Sequence, residues 1–84
     1  MDLDDLLHRY FGARDLAVVP PGSLAEGIAR MRSDMEAATD RGERFATWCL
    51  LHMLGSAPDL ESAFEGEADR AAARNFVSLL ASGA

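Results

Sequence analysis

The ten residues from Phe45 to Leu54, FATWCLLHML, constrain the fold of this chain most, because eight of them are apolar. Only Thr47 and His52 interrupt the run. A helix that is apolar on almost every side must be surrounded to be stable in water. In a chain of 84 residues, such a helix either forms the centre of a small bundle or contributes to a subunit interface.

Length and composition indicate one folded domain spanning residues 1–84. The chain is 49% hydrophobic and 26% charged, which is typical of a globular protein and not of a disordered one. A domain of this size buries roughly 60–65% of the surface that its unfolded chain exposes. We therefore expect an adequate but thin core.

Apolar residues recur at helical spacing almost everywhere, and no strand-like alternation persists. The pattern predicts an all-α, four-helix bundle-like domain, with a short helical turn through Leu60 and Phe64. Gly12 and Gly55 are expected to end the first and third helices. The four predicted helices span about residues 3–11, 24–37, 41–54 and 67–81.

Two helix starts carry capping signals. Ser23, with Glu26 three residues later, predicts a capping box at the start of the second helix. Asp40 and Glu43 predict a similar start for the third helix. The connector at 13–22 contains apolar residues, so we expect it to pack on the core.

The spacing of side chains also predicts ion pairs on the second helix and the buried face of the last helix. On the second helix, Arg30 is spaced to form ion pairs with Glu26 and with Asp34. The last helix is expected to turn one apolar group inward: Ala72, Ala73, Phe76, Val77, Leu79 and Leu80.

The balance of charge disfavours nucleic acid as a partner. The net charge is −6, the sequence pI is about 4.6, and all eight basic residues are arginines. Nucleic-acid binding usually needs a basic face, and these arginines are scattered. A lysine-free, alanine-rich composition suggests a GC-rich and therefore bacterial coding source. The acidic surface is compatible with a basic protein partner or with solubility alone.

The longest apolar run is about half the length of a membrane span, and the first residues lack the positive charge of a signal peptide. We therefore expect no membrane association and a cytoplasmic location. Cys49 is the only cysteine, which excludes a disulfide within the chain.

No residue group indicates catalysis, a metal or a cofactor. Cys49 and His52 are three residues apart, but a structural zinc site needs four ligands, and an apolar helix does not activate a thiolate. The acidic residues near both chain ends lie at helix starts, where the helix dipole favours them. Leu3–Leu7 matches a groove-docking LxxLL pattern, although amphipathic helices often contain it. We predict a protein that is not an enzyme.

A helical wheel divides the third helix, about 41–54, into two apolar faces. The broad half, predicted to be core, holds Phe45, Ala46, Cys49, Leu50, Met53 and Leu54. The narrow face, predicted to be a protein interface, holds Arg41, Arg44, Trp48, Leu51 and His52. Its aromatic and apolar side chains are unlike those that read base edges in helix–turn–helix proteins.

Two interpretations of the narrow face remain open. Tryptophan and arginine are enriched at interface hot spots, so the face predicts a self-associating interaction module, a homodimer. Alternatively, the first helix or the connector at 13–22 covers it within the same chain. A second functional hypothesis is an acidic inhibitor, antitoxin or immunity-type protein that binds a basic partner.

Overall fold

The computed structural model describes residues 3–82, which form five α-helices and no strand. The all-α prediction is confirmed, with four longer helices and one short one. Within the described residues, no helix has the length and hydropathy needed to cross a membrane. The helices are α1 (Leu3–Phe11), α2 (Pro21–Ala37), α3 (Arg41–Met53), α4 (Leu60–Ala63) and α5 (Glu67–Ala81), with a 3₁₀ turn at Leu16–Val18.

The C-terminal ends of α1 and α3 and the start of α3 lie at the glycine and capping residues that the sequence predicts. Gly12 and Gly55 adopt φ angles of 70° and 75°, a left-handed conformation that glycine adopts without steric cost. At the start of α3, Asp40 Oδ1 accepts the backbone N–H of Glu43 at 3.0 Å. The predicted cap is therefore present.

The predicted start of α2 is wrong by three residues. The helix begins at Pro21, with Pro20 as its N-cap and no side-chain capping bond. Proline suits the first helical position, because its fixed φ is helical and its missing N–H would have no partner there. Ser23 consequently lies inside the first turn and does not cap the helix.

Two side chains of α2 bind α1 instead of forming the predicted pair with each other. The Tyr10 hydroxyl donates to Asp34 Oδ2 at 2.6 Å. Arg30 Nη2 donates to the Tyr10 carbonyl at 2.6 Å, and its guanidinium lies 5.8 Å from the Tyr10 ring centre. Burial and the hydrogen bond to Asp34 raise the pKa of Tyr10. These contacts fix α1 on α2.

The middle of α3 is the centre of the core. Thr47, Trp48, Cys49, Leu50 and Leu51 are all buried, so the middle of this helix is covered around its whole circumference. Helices α1 and α2 contact it, and so does α5. The molecule measures 36 × 32 × 20 Å, and its shortest axis therefore accommodates two layers of helices.

Several predicted core positions are exposed. Within the connector, no residue of the 3₁₀ turn is buried, and Val18 is 67% exposed. In α5 only Ala73 is fully buried, whereas Leu79 and Leu80 are 59% and 41% exposed. Met53, assigned to the broad half of α3, is 44% exposed. These side chains lie near helix ends or in the connector, where no neighbouring element covers them.

Gly27 permits the close approach of α1 and α2. A Cβ atom at this position would collide with the Phe11 ring and lie 3.0 Å from the Tyr10 carbonyl oxygen. Gly22, at the start of the same helix, has no heavy atom within 4 Å of its Cβ position.

We predict that Gly27→Ala lowers the free energy of unfolding by about 1–2 kcal/mol. The overpacking cost exceeds the gain in helix propensity. Urea denaturation followed by circular dichroism measures the change. Gly22→Ala is the matched control and should be neutral or stabilising; equal effects of the two variants would contradict close packing at Gly27.

Candidate functional site

The five residues of the predicted interface divide into buried and exposed members. Trp48 and Leu51 are 2% and 0% exposed, so residues of the same chain cover them. Arg41 is exposed, and Arg44 and His52 are partly exposed. The narrow face is therefore not a free surface in this structure, which corrects the interface assignment for Trp48 and Leu51.

The segment that follows α3 covers Trp48. The indole Nε1–H donates to the Pro58 carbonyl at 2.9 Å. The Phe64 ring meets the indole edge-on at 5.6 Å, and the His52 ring stacks on it at 5.3 Å with an interplanar angle of 14°. Cover within the chain is one of the two interpretations of this face. The Pro58 and Phe64 contacts come from the segment around α4 and not from the connector, and the His52 contact comes from α3 itself.

The two arginines of the narrow face make contacts that organise the fold. Arg41 forms two hydrogen bonds with Asp69, 3.1 Å from Nε and 3.0 Å from Nη2. These bonds lower the pKa of the Asp69 carboxyl and join the starts of α3 and α5. Arg44 Nη2 donates to the carbonyl of Ala38 at 2.9 Å, at the turn between α2 and α3.

Most arginines of the chain donate hydrogen bonds within the molecule. In the described part of the chain, six of the eight arginines donate to side-chain or backbone oxygens. Arg70, for example, donates to the carbonyls of Phe64 and Glu61 at 2.7 and 3.0 Å. The arginines that bind within the molecule are Arg9, Arg30, Arg41, Arg44, Arg70 and Arg74.

Helix α3 does not have the placement of a DNA-reading helix. Such a helix lies exposed so that its side chains can enter the major groove, whereas the middle of α3 is buried. The LxxLL pattern of α1 is likewise used internally, because Leu6 is fully buried and Leu7 partly so. The side chain of Leu3 lies outside the described residues.

The environment of Cys49 is that of a buried thiol. The residue is 5% exposed, and burial raises the pKa of the thiol to about 11. A nucleophilic cysteine needs the thiolate form near neutral pH. Among residues 3–82, no three histidine, cysteine or acidic side chains are grouped so that they could hold a metal ion.

A cleft of about 640 Å³ lies where α3 and α5 begin. Arg41 and Arg44 line it together with Asp40, Glu67 and Asp69. Charges of both signs therefore face the same open space, and Arg41 is already paired with Asp69. Glu65 also lines the cleft, so four carboxylates stand against two arginines and the excess charge is negative, which does not suit an anionic ligand.

The end of α5 has an exposed apolar surface where the sequence predicts core. Phe76 is partly buried and its ring is 6.3 Å from that of His52, but Leu79 and Leu80 are exposed beyond it. No charged residue occurs from residue 75 onward. We call Phe76, Leu79 and Leu80 the α5 patch. The absence of a basic residue in the last turn of α5 is the sequence signal that could have marked it.

No family model, curated protein or solved structure matches this chain in the comparisons.

We predict that Trp48→Ala destabilises the fold by about 3–5 kcal/mol, because it removes a buried aromatic ring and leaves the Pro58 carbonyl without its donor. A loss of this size should abolish most of the cooperative thermal transition and much of the helical circular dichroism. Arg41→Ala, on the same face but exposed, is the control and should leave stability almost unchanged, because exposed ion pairs contribute little. A Trp48 variant with native helicity and stability would show that the indole is not core.

We predict that the free energy of unfolding falls between about pH 9 and pH 11 because of Cys49. The thiol pKa is higher in the folded chain, so the unfolded thiol ionises first, and stability is fully retained only below its pKa. Tyr10 acts in the same direction at higher pH, since burial raises its pKa as well. Urea denaturation across this pH range should give a smaller decline in the free energy of unfolding for Cys49→Ala than for the wild type. Identical declines would show that the Cys49 thiol does not cause the loss of stability.

Proposed function

We propose that this chain is a small cytoplasmic protein-contact module that associates with a second copy of itself through the α5 patch. The proposal assigns it no catalytic step and no cofactor. The observation that carries it is the exposure of Leu79 and Leu80, at 59% and 41%. Both lie beyond the partly buried Phe76 on a helix whose last turns carry no charge.

Apolar burial supplies the driving force for this contact. Complete burial of a leucine side chain contributes roughly 1.5–3 kcal/mol relative to leaving it in water. Leu79 and Leu80 are already partly covered, so each contributes a fraction of that. Because two copies contribute the same patch, this gain occurs twice in a symmetric dimer.

The small size of the patch indicates a weak and reversible association. Stable interfaces use about 20–30 residues on each side, whereas the α5 patch has three apolar residues and a few uncharged neighbours. Association also costs at least about 4 kcal/mol of lost translational and rotational freedom. Since this cost offsets most of the apolar gain, we expect a dissociation constant no tighter than the millimolar range.

The surface charge supports a second candidate, an acidic inhibitor, antitoxin or immunity-type protein. Because most arginines bind within the molecule, carboxylates such as Asp5, Glu26, Glu36 and Glu65 remain exposed without an arginine partner. A basic protein would be attracted to this surface, and added salt would weaken its capture. Salt-insensitive capture would count against this candidate.

We predict that Leu79→Glu lowers the self-association constant at least tenfold. The substitution places a charge at the centre of the patch, and the partner copy brings the same charge to the same place. NMR translational diffusion between about 0.1 and 5 mM measures the apparent mass against concentration, and circular dichroism checks that the variant is folded.

The matched control is Val18→Glu, which adds the same charge at an apolar residue that is 67% exposed and outside the patch. It should associate like the wild type, apart from the effect of its extra net charge. A wild-type chain that stays monomeric across the whole range would overturn the proposal, and so would equal effects of the two variants.

A further inference from the structure

We infer that residues 57–65, which we call the strap, open and close as a unit while helices α1, α2, α3 and α5 stay packed. In the closed state the strap covers Trp48, and Trp48 and Arg70 hold it in place. Its opening exposes the indole to water, so a segment of the same chain controls access to Trp48. This opening does not depend on the proposed self-association.

The strap has little regular structure of its own. It contains α4, a helix of four residues whose N-cap, Asp59, makes no side-chain capping bond. So short a helix is unstable in isolation. Its backbone hydrogen bonds are local and reach back to the carbonyls of Asp59 and Leu60. The order of the strap therefore depends on its contacts with α3 and α5.

Contact with α3 is made around Trp48. The indole N–H donates to the Pro58 carbonyl. The Phe64 ring lies against the rings of Trp48 and Phe45. Of the nine strap residues, only Ala63 and Phe64 are buried. This small apolar burial has to offset the conformational entropy that the strap loses when it becomes ordered, so the strap is held less firmly than the helices around it.

Arg70 fixes the backbone of the strap to α5. Its Nε donates to the Phe64 carbonyl at 2.7 Å, and its Nη2 donates to the Glu61 carbonyl at 3.0 Å. Both carbonyls lie at the end of α4, where a helix leaves its carbonyls without partners of its own. Arg70 and Arg74 both pair with the Glu61 carboxylate, so the two carbonyl bonds distinguish Arg70 from Arg74.

The other helices have attachments that do not pass through the strap. Helices α1 and α2 contact each other, and both contact α3. Helix α5 reaches α3 through the Arg41–Asp69 pair and through the ring contact of His52 with Phe76. Opening of the strap leaves these contacts in place. Local opening of this kind needs less free energy than global unfolding, so the strap opens while the rest of the chain stays folded.

The first test compares hydrogen exchange at two groups of α3 by NMR, each corrected for its intrinsic rate. The Trp48 indole N–H is freed when the strap opens, whereas the Leu51 backbone N–H lies in the buried part of α3. We expect the indole to exchange at least about tenfold faster and to respond less to urea below the unfolding transition, because local opening exposes little surface. Equal protection with equal urea dependence would overturn the inference, since the indole would then open only with the whole chain.

The second test measures the same two exchange rates in three variants. Arg70→Ala removes both carbonyl bonds and should accelerate exchange of the indole about tenfold. Arg74→Ala, the matched control, removes an exposed pairing with Glu61 and should leave the exchange of the indole within about twofold of the wild type. Gly27→Ala weakens the contact of α1 with α2, which is the same whether the strap is open or closed. It should accelerate exchange at Leu51 about tenfold and leave the indole unchanged.

The outcomes separate strap opening from global unfolding. Equal indole exchange in Arg70→Ala and Arg74→Ala would show that Arg70 does not hold the strap and would overturn the inference. An acceleration of the indole by Gly27→Ala as large as that of Leu51 would also overturn it, because one global transition would then free both groups. If Arg70→Ala does not fold, the wild type and Gly27→Ala decide the question on their own. Circular dichroism checks the fold of each variant.

Discussion

The enclosure of Trp48 is the constraint on which the rest of the structure depends. The middle of helix α3 is apolar on almost every side, and the segment that follows the helix turns back across its indole. The Pro58 carbonyl and the Phe64 ring provide that cover. The accessible surface is 5207 Å², near the value of about 4,900 Å² expected for a monomeric protein of this mass. One chain therefore closes its own core.

This enclosure determines where α5 lies and what it leaves exposed. Arg70 holds α5 to the carbonyls around α4, and the Arg41–Asp69 pair joins its start to α3. Contact with the core is complete at Ala73 and decreases along the last two turns. The arginines bind backbone carbonyls and some of the surface carboxylates. The outer surface keeps an excess of carboxylates, and the end of α5 stays apolar and uncharged. The proposed contact through the α5 patch rests on this distribution.

Local signals in the sequence predicted most of the fold but little of the candidate site. Gly12, Gly55 and Asp40 act within a few residues, so the ends that they define were predictable. Helical periodicity gave the correct span of α5 for the same reason. The exposure of a side chain depends on which other element packs against its helix face, and a helical wheel does not show how elements pack. The wheel therefore leaves Trp48 open between an interface and cover within the chain, although it is core, and it places Leu79 in the core although it is exposed. Arg30 and Asp34 show the same effect, because α1 supplies partners that their spacing within α2 could not reveal.

The fluorescence of Trp48 during dilution tests the central claim, that one chain encloses α3, most directly. Trp48 is the only tryptophan, so its emission reports this site alone. A dilution series should be followed from concentrations at which the chain associates to concentrations at which sedimentation shows a monomer. The account predicts blue-shifted emission, protected from acrylamide quenching, throughout the series. A red shift and a gain in quenching upon dissociation would contradict it, because they would show that a second subunit covers the indole.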